Sequence, residues 1–225
     1  MNILDVQQAQ LEYLAVLDRP AFPLWANVPG MMGGLYQAFE GLHSGLADLT
    51  LEGDGRDPLG RTIVVSLGEQ GFFRVGYERV EAELPDYTED ELAAFPATLA
   101  RGDRWLRTHW SAAVVQAHYL TLSIHGTLSE GSSADYLRSL SAIELGIGKS
   151  LGTGLIFHAS LPTTGWDVHL TLDHSTVIEG GLFVQYVVTI GDDRIDHART
   201  LDASFSFLNQ GAESLGLEIG IGAVG

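Results

Sequence analysis

Asp167, His169 and Asp173 stand two and four residues apart in the run Trp166 to Val177, where apolar and polar residues alternate. Alternation along a strand puts these three on one face with Thr171. Carboxylates beside an imidazole are the residue types of a divalent-metal site or of general acid–base chemistry. The set is incomplete by local geometry. His174 falls on the opposite face with Val168, Leu170 and Leu172, and the polar face of a half-solvated antiparallel sheet accounts for the same spacing. His118 and His125 are seven residues apart, so one strand sends them to opposite faces and they cannot share an ion.

Arg101, Arg104 and Arg107 make the second constellation. On a helix, steps of three drift by about 60°, so these cations form a slanting stripe able to clamp an anionic ligand. The competing use is pairing with a neighbour or with the acidic run Glu81, Glu83, Asp86, Glu89, Asp90 and Glu91. Gly146-Ile147-Gly148-Lys149-Ser150 ends like a phosphate-binding loop, but Ile143 stands where that loop needs glycine, so the run reads as a connector. No Gly-x-Ser-x-Gly elbow is present to expose a nucleophilic serine. With no cysteine in the chain, thiol nucleophiles, disulfides, thiolate zinc and iron–sulfur clusters are excluded, and no cofactor or metal is expected.

A third group suits contact with a partner. Phe22 and Trp25 lie in Pro20-Ala21-Phe22-Pro23-Leu24-Trp25, where two prolines oppose regular structure and would present an aromatic loop. Ile219 and Ile221 belong to a glycine-rich tail, Leu217 to Val224, whose alternation suits a strand added to a neighbouring edge.

The elements that must carry these residues follow from periodicity. Arg61 to Leu67 and Phe72 to Glu83 are strand-like around Gly68-Glu69-Gln70-Gly71, and Trp166 to Val177 and Leu182 to Ile190 around Glu179-Gly180-Gly181, so each pair predicts a hairpin. A helix is expected after each. Thr88-Glu89-Asp90-Glu91 is a capping box ahead of Leu92, Phe95, Leu99 and Leu106, with Pro96 expected to kink or split that helix. Asp192 and Asp193 are candidate N-caps ahead of the stripe Ile195, Ala198, Leu201, Phe205, Leu208, Ala212 and Leu215. Upstream, Gln10 to Leu17 and Val114 to Ile124 read as strands; Leu35 to Leu46 and Ser132 to Leu140 read as helices. Short strands follow at Asp48 to Glu52 and Gly154 to Leu161.

The predicted fold class is therefore α+β, an antiparallel sheet packed by helices. Its two similar halves, residues 1–110 and 111–225, each run strand, helix, three strands, helix and form one continuous globule.

His169-Leu170-Thr171-Leu172-Asp173, the hairpin return, the helix Arg194 to Leu215 with its phenylalanines, and Ala134-Asp135-Tyr136-Leu137 after a long strand carry a resemblance. Over roughly the last 110 residues the chain resembles a sporadically distributed family of uncharacterised bacterial cytosolic proteins. The resemblance implies no catalytic residues.

Of 225 residues, 12 are Lys or Arg and 29 are Asp or Glu, a formal net charge of −17. Such a surface repels phosphate, which disfavours direct nucleic-acid binding and docking to an anionic membrane, and favours basic partners. Charged residues are only 18% of the chain, so uncharged surface is left for contact with a protein partner or a second copy. The opening residues carry no cation before Arg19, which points to the cytoplasm. The expected function is a non-catalytic interaction or assembly protein of the bacterial cytoplasm. The alternatives are an enzyme or metal-dependent binder using the Asp167, His169 and Asp173 face, and an acidic mimic of nucleic acid.

Overall fold

The computed structural model describes residues 1–42, 45–53, 57, 59–68, 71–141 and 153–220. The chain runs β1 (Asn2–Leu17), α1 (Phe22–Trp25), α2 (Val28–Ala38), β2 (Leu49–Glu52), β3 (Thr62–Ser66), β4 (Phe72–Val75), β5 (Arg79–Pro85) and α3 (Glu89–His109). It continues through β6 (Val115–Leu128), α4 (Ser133–Leu140), β7 (Leu155–Leu161), β8 (Trp166–His174), β9 (Leu182–Ile190), α5 (His197–Ser214) and β10 (Leu217–Ile219). Over the described residues the fold is α+β, one large antiparallel sheet with five α-helices.

The strand order is β2-β3-β4-β5-β1-β6-β9-β8-β7, and β10 joins the start of β1 in parallel. Outward from the central β1–β6 pair the orders are β1-β5-β4-β3 and β6-β9-β8-β7, and the first side carries β2 as an extra edge strand. In β1, residues Ala9, Leu11, Tyr13, Ala15 and Leu17 are buried while their alternates are not; a register shift between Val6 and Gln8 moves Leu4 onto the same buried face. The same alternation runs through β6 and β9, whose His118, Leu120, Leu122 and Ile124 and whose Leu182, Val184, Tyr186, Val188 and Ile190 are buried. His118 aside, these side chains and the buried faces of the helices α1 to α5 form one core cluster extending from Leu4 to Ile219.

Local chemistry explains the helices. Thr88 Oγ1 accepts from the Glu91 N–H and Glu91 Oε2 accepts from the Thr88 N–H, closing the capping box at the start of α3. Ser132 caps α4 by accepting from the Asp135 N–H. Pro96 does not split α3, which is a single 21-residue helix. A proline there removes only one main-chain donor, and Phe95, Leu99 and Leu106 hold the helix on the sheet from both sides of it. Gly102 lets α3 come close, because a Cβ there would lie 2.3 Å from the Phe73 ring.

Other sequence expectations need correction. Phe72 to Glu83 is two strands joined by a turn at Gly76, whose N–H donates to the Arg79 carbonyl. The α5 cap is Asp196, which accepts from the Arg199 N–H, and Asp193 instead accepts from the Val115 N–H. Residues 20–25 are not an open aromatic loop. They hold the short helix α1, and Trp25 is buried, stacked on Tyr77 at 4.5 Å, leaving Phe22 as the exposed aromatic at 58%. The tail strand is used within the chain: Ile219 is buried opposite Leu4. Ile221 and the Gly146 to Ser150 run lie outside the described residues.

Candidate functional site

Because one face of the sheet is packed by helices, the register determines what the other face presents. Cross-strand pairing lines up Ser66, Phe72, Glu83, Glu12, Thr121, Val187, His169 and His158 in one row across eight strands. The adjacent row reads Val64, Arg74, Glu81, Leu14, Tyr119, Thr189, Asp167 and Ser160. Among the described residues no helix packs on these rows, and their members are exposed or half-buried, Val64 being the buried exception. The face mixes hydroxyl, amide and apolar side chains over its centre, a composition suited to contact and poor as a solvent-only surface.

Its charges are unevenly matched. Arg74 bonds Glu81 at 3.1 Å, lies 4.0 Å from Glu52, and sits over the Phe72 ring at 4.5 Å; Arg79 meets Glu81 at 2.7 Å. The two cations are therefore occupied. Glu12 and Glu83, directly opposite each other on β1 and β5, form no ion pair among the described residues, although Gln10 donates to Glu12 at 2.7 Å. Burial, and then the Glu12 charge, push the Glu83 carboxyl above its usual range, with Arg74 pulling the other way. Directly opposed like charges cost stability on a sheet.

Asp167, His169 and Asp173 share this open face, as alternation requires, but they do not converge. Six residues of extended strand separate the two carboxylates by about 20 Å. The pairing of β7 with β8 brings His158 against His169, ring centroids 4.3 Å apart, a contact the sequence did not announce because the β7 register is set by the fold. Among the described residues no group of three His, Asp or Glu is placed to hold a metal ion.

The arginine stripe divides. Arg107 is absorbed by structure: its guanidinium meets Asp103 at 2.9 Å and Asp193 at 3.3 Å and donates to the Asp193 carbonyl at 2.6 Å. Arg101 donates to the Glu40 carbonyl at 3.3 Å, and Arg104 is exposed and makes no ion pair among the described residues. Both line a cleft between α2 and α3.

Sequence reasoning missed a buried polar cluster. Tyr13 Oη lies 2.6 Å from His118 Nδ1, and the His197 ring stands edge-on to Tyr13 at 5.5 Å. Burial pushes the Tyr13 hydroxyl far up, so it keeps its proton, and the His118 tautomer sets which of Oη and Nδ1 donates in the bond between them. Burial also pulls His118 and His197 below the usual histidine range; for His118 the nearby Asp193 and Asp192 main chain opposes this, without a well-aligned bond to Nε2. At 2% exposure the His118 ring is shut off from substrate, whereas His197, at 8%, borders a cleft lined by Arg104, Arg107 and Arg194. The one available signal was His118 sharing the parity of Leu120, Leu122 and Ile124.

No family model matches the chain, and no curated protein matches it. No helix among the described residues is long and apolar enough to cross a membrane.

Proposed function

We propose that the protein is a non-catalytic interaction or assembly protein of the bacterial cytoplasm, and that the open face of its sheet receives a partner polypeptide. The observation that carries this reading is the face itself: nine strands wide, uncovered among the described residues, with Leu14, Tyr119, Val187 and Phe183 set among polar neighbours. Glu12 and Glu83, which have no ion pair among the described residues, and the net charge of −17 favour a partner that brings cations, and weigh against a second copy. We further propose that the halves arose by duplication, with a twofold axis between β1 and β6. The matching strand orders support this, as does the antiparallel central pair, since such a pair is itself twofold symmetric.

Tyr119→Arg and Val187→Arg change solvent-facing positions and spare the core. The tagged full-length chain and this double variant are compared for polypeptides retained from the source cytoplasm and for sedimentation at 0.15 M salt. A polypeptide held by the wild type, absent from the open-face variant and kept by an Arg138→Ser control on α4 supports the reading. Identical retention by all three, with unchanged sedimentation, overturns it.

A further inference from the structure

The register of β7 on β8 sets His158 directly opposite His169 on the open face, ring centroids 4.3 Å apart and planes at 75°. Both side chains are exposed, and neither ring has a hydrogen bond among the described residues. That separates them from their counterparts elsewhere in the fold. His109, His118, His125 and His174 each commit Nδ1 to a hydrogen bond, and His197 is buried. Among the described residues β7 is the last strand of the sheet order, so no strand lies beyond His158 to crowd the pair.

Geometry and charge both suit this pair to a cation. Imidazole nitrogen is a favoured donor for zinc, copper and nickel ions, and two rings directly across antiparallel strands stand on one side of a rigid support. An ion with Zn–N bonds of about 2.0–2.1 Å and near-tetrahedral angles holds two imidazole centroids roughly 5 Å apart, so a small side-chain rotation of these unbonded rings closes them on it. The surroundings do not oppose a positive charge. β7, β8 and β9 contain no Lys or Arg, and Asp167 lies on the same face, two residues from His169 and diagonal to His158. The set Asp167, His169 and Asp173 runs along one strand and so cannot converge; the second imidazole comes from the strand beside it.

We propose that His158 and His169 bind one divalent transition-metal ion of the zinc class, each ring giving one nitrogen. Water fills the remaining positions, which leaves the ion open to a further donor. Asp167 attracts the ion by its charge and is not a third ligand, since no group of three His, Asp or Glu among the described residues is placed to hold a metal. With two protein ligands the affinity is micromolar, well below that of a closed four-ligand site. The site does not depend on the open face receiving a polypeptide.

The test reads the ring nitrogens themselves. The full-length ¹⁵N-labelled chain is titrated at pH 7.5 with zinc chloride and, separately, with magnesium chloride at equal ionic strength, while long-range ¹H–¹⁵N spectra follow the imidazoles. His158→Asn and His169→Asn, made singly, assign the two rings at issue among the eight. Zinc shifts a nitrogen of both rings and saturates at one ion per chain in the micromolar range, whereas magnesium, which takes oxygen ligands, moves neither. Calorimetric titration then compares the variants. Each single substitution weakens zinc binding at least about tenfold, because even losing a group that only supports a metal ligand costs that much. Both positions are exposed, so the variants keep the wild-type urea midpoint, and the wild-type spectra decide independently of them. Rings of His158 and His169 indifferent to zinc up to about 1 mM overturn the proposal. So does a shift confined to one of the two rings, or either single variant binding zinc as the wild type does.

Discussion

Lowering the pH from 7.5 to 5.5 should destabilise this protein chiefly through two histidines, with a smaller share in the same direction from His125, which is less buried and also held low by desolvation. His118 and His197 are buried beside Tyr13, and desolvation holds both below the ordinary value of 6.5 in the folded chain. Of the groups around them, Asp103 favours the charged imidazole and Arg107 disfavours it, Asp196 favours it at His197, the Asp193 and Asp192 main chain favours it at His118, and the His118 ring disfavours a charge on His197; all rank below burial. The unfolded chain therefore binds protons at pH values where the folded chain does not. Stability is complete above about pH 6.5 and is lost as the pH falls below it, down to the depressed folded values. Each histidine contributes at most about 1.4 kcal/mol over this interval, so the pair costs up to about 2.7 kcal/mol, out of a typical total of about 5–15. Glu83, whose folded pKa is raised, works in the opposite direction as the pH falls towards its own range, and Asp193, whose folded pKa is lowered, adds loss only below the carboxylate range; the interval stops at 5.5 for that reason. Urea unfolding at pH 7.5, 6.5, 6.0 and 5.5 gives the slope. His118→Gln, whose amide can accept from or donate to Tyr13, combined with His197→Gln, should flatten it. A wild-type free energy constant to within about 0.5 kcal/mol, or a double variant that keeps the slope, would refute the assignment of these rings as neutral in the fold.

Gly102→Ala should lower stability by about 1–3 kcal/mol despite the better helix propensity of alanine, because its Cβ would meet the Phe73 ring at 2.3 Å and force α3 from β4; a rise in the urea midpoint would contradict this packing. Leu217→Ala should cost about 2–4 kcal/mol, since Leu217 is fully buried where β10 pairs with β1; if the tail served only a neighbouring molecule, the midpoint would stay unchanged and only sedimentation would shift.

Much of the architecture was legible from local signals. The capping box at Thr88 and the cap at Ser132 satisfy main-chain donors within three residues, so nothing distant is needed to specify them. Period-two alternation likewise separated faces: His118 and His125 went to opposite ones, and Asp167, His169 and Asp173 to the open side. The division of Arg101 and Arg104 from Arg107 was implicit in a helical step of 100°, but which neighbours wait on each side was not.

Register, burial and partner choice were decided only in three dimensions. Whether Trp25 faces solvent depends on Tyr77, 52 positions later, being there to stack on it. Ile219 looked available for another molecule because a short apolar strand carries no mark of its partner; the start of β1, at the other end of the chain, takes it. The close approach at Gly34 exists because α2 packs against the face of α3 that bears Trp105 and His109, and the Glu12–Glu83 opposition exists because β5 returns beside β1. Local sequence sets which way a side chain points along its own element. Which element it meets is set by how the whole chain buries its one core, and that is a non-local balance.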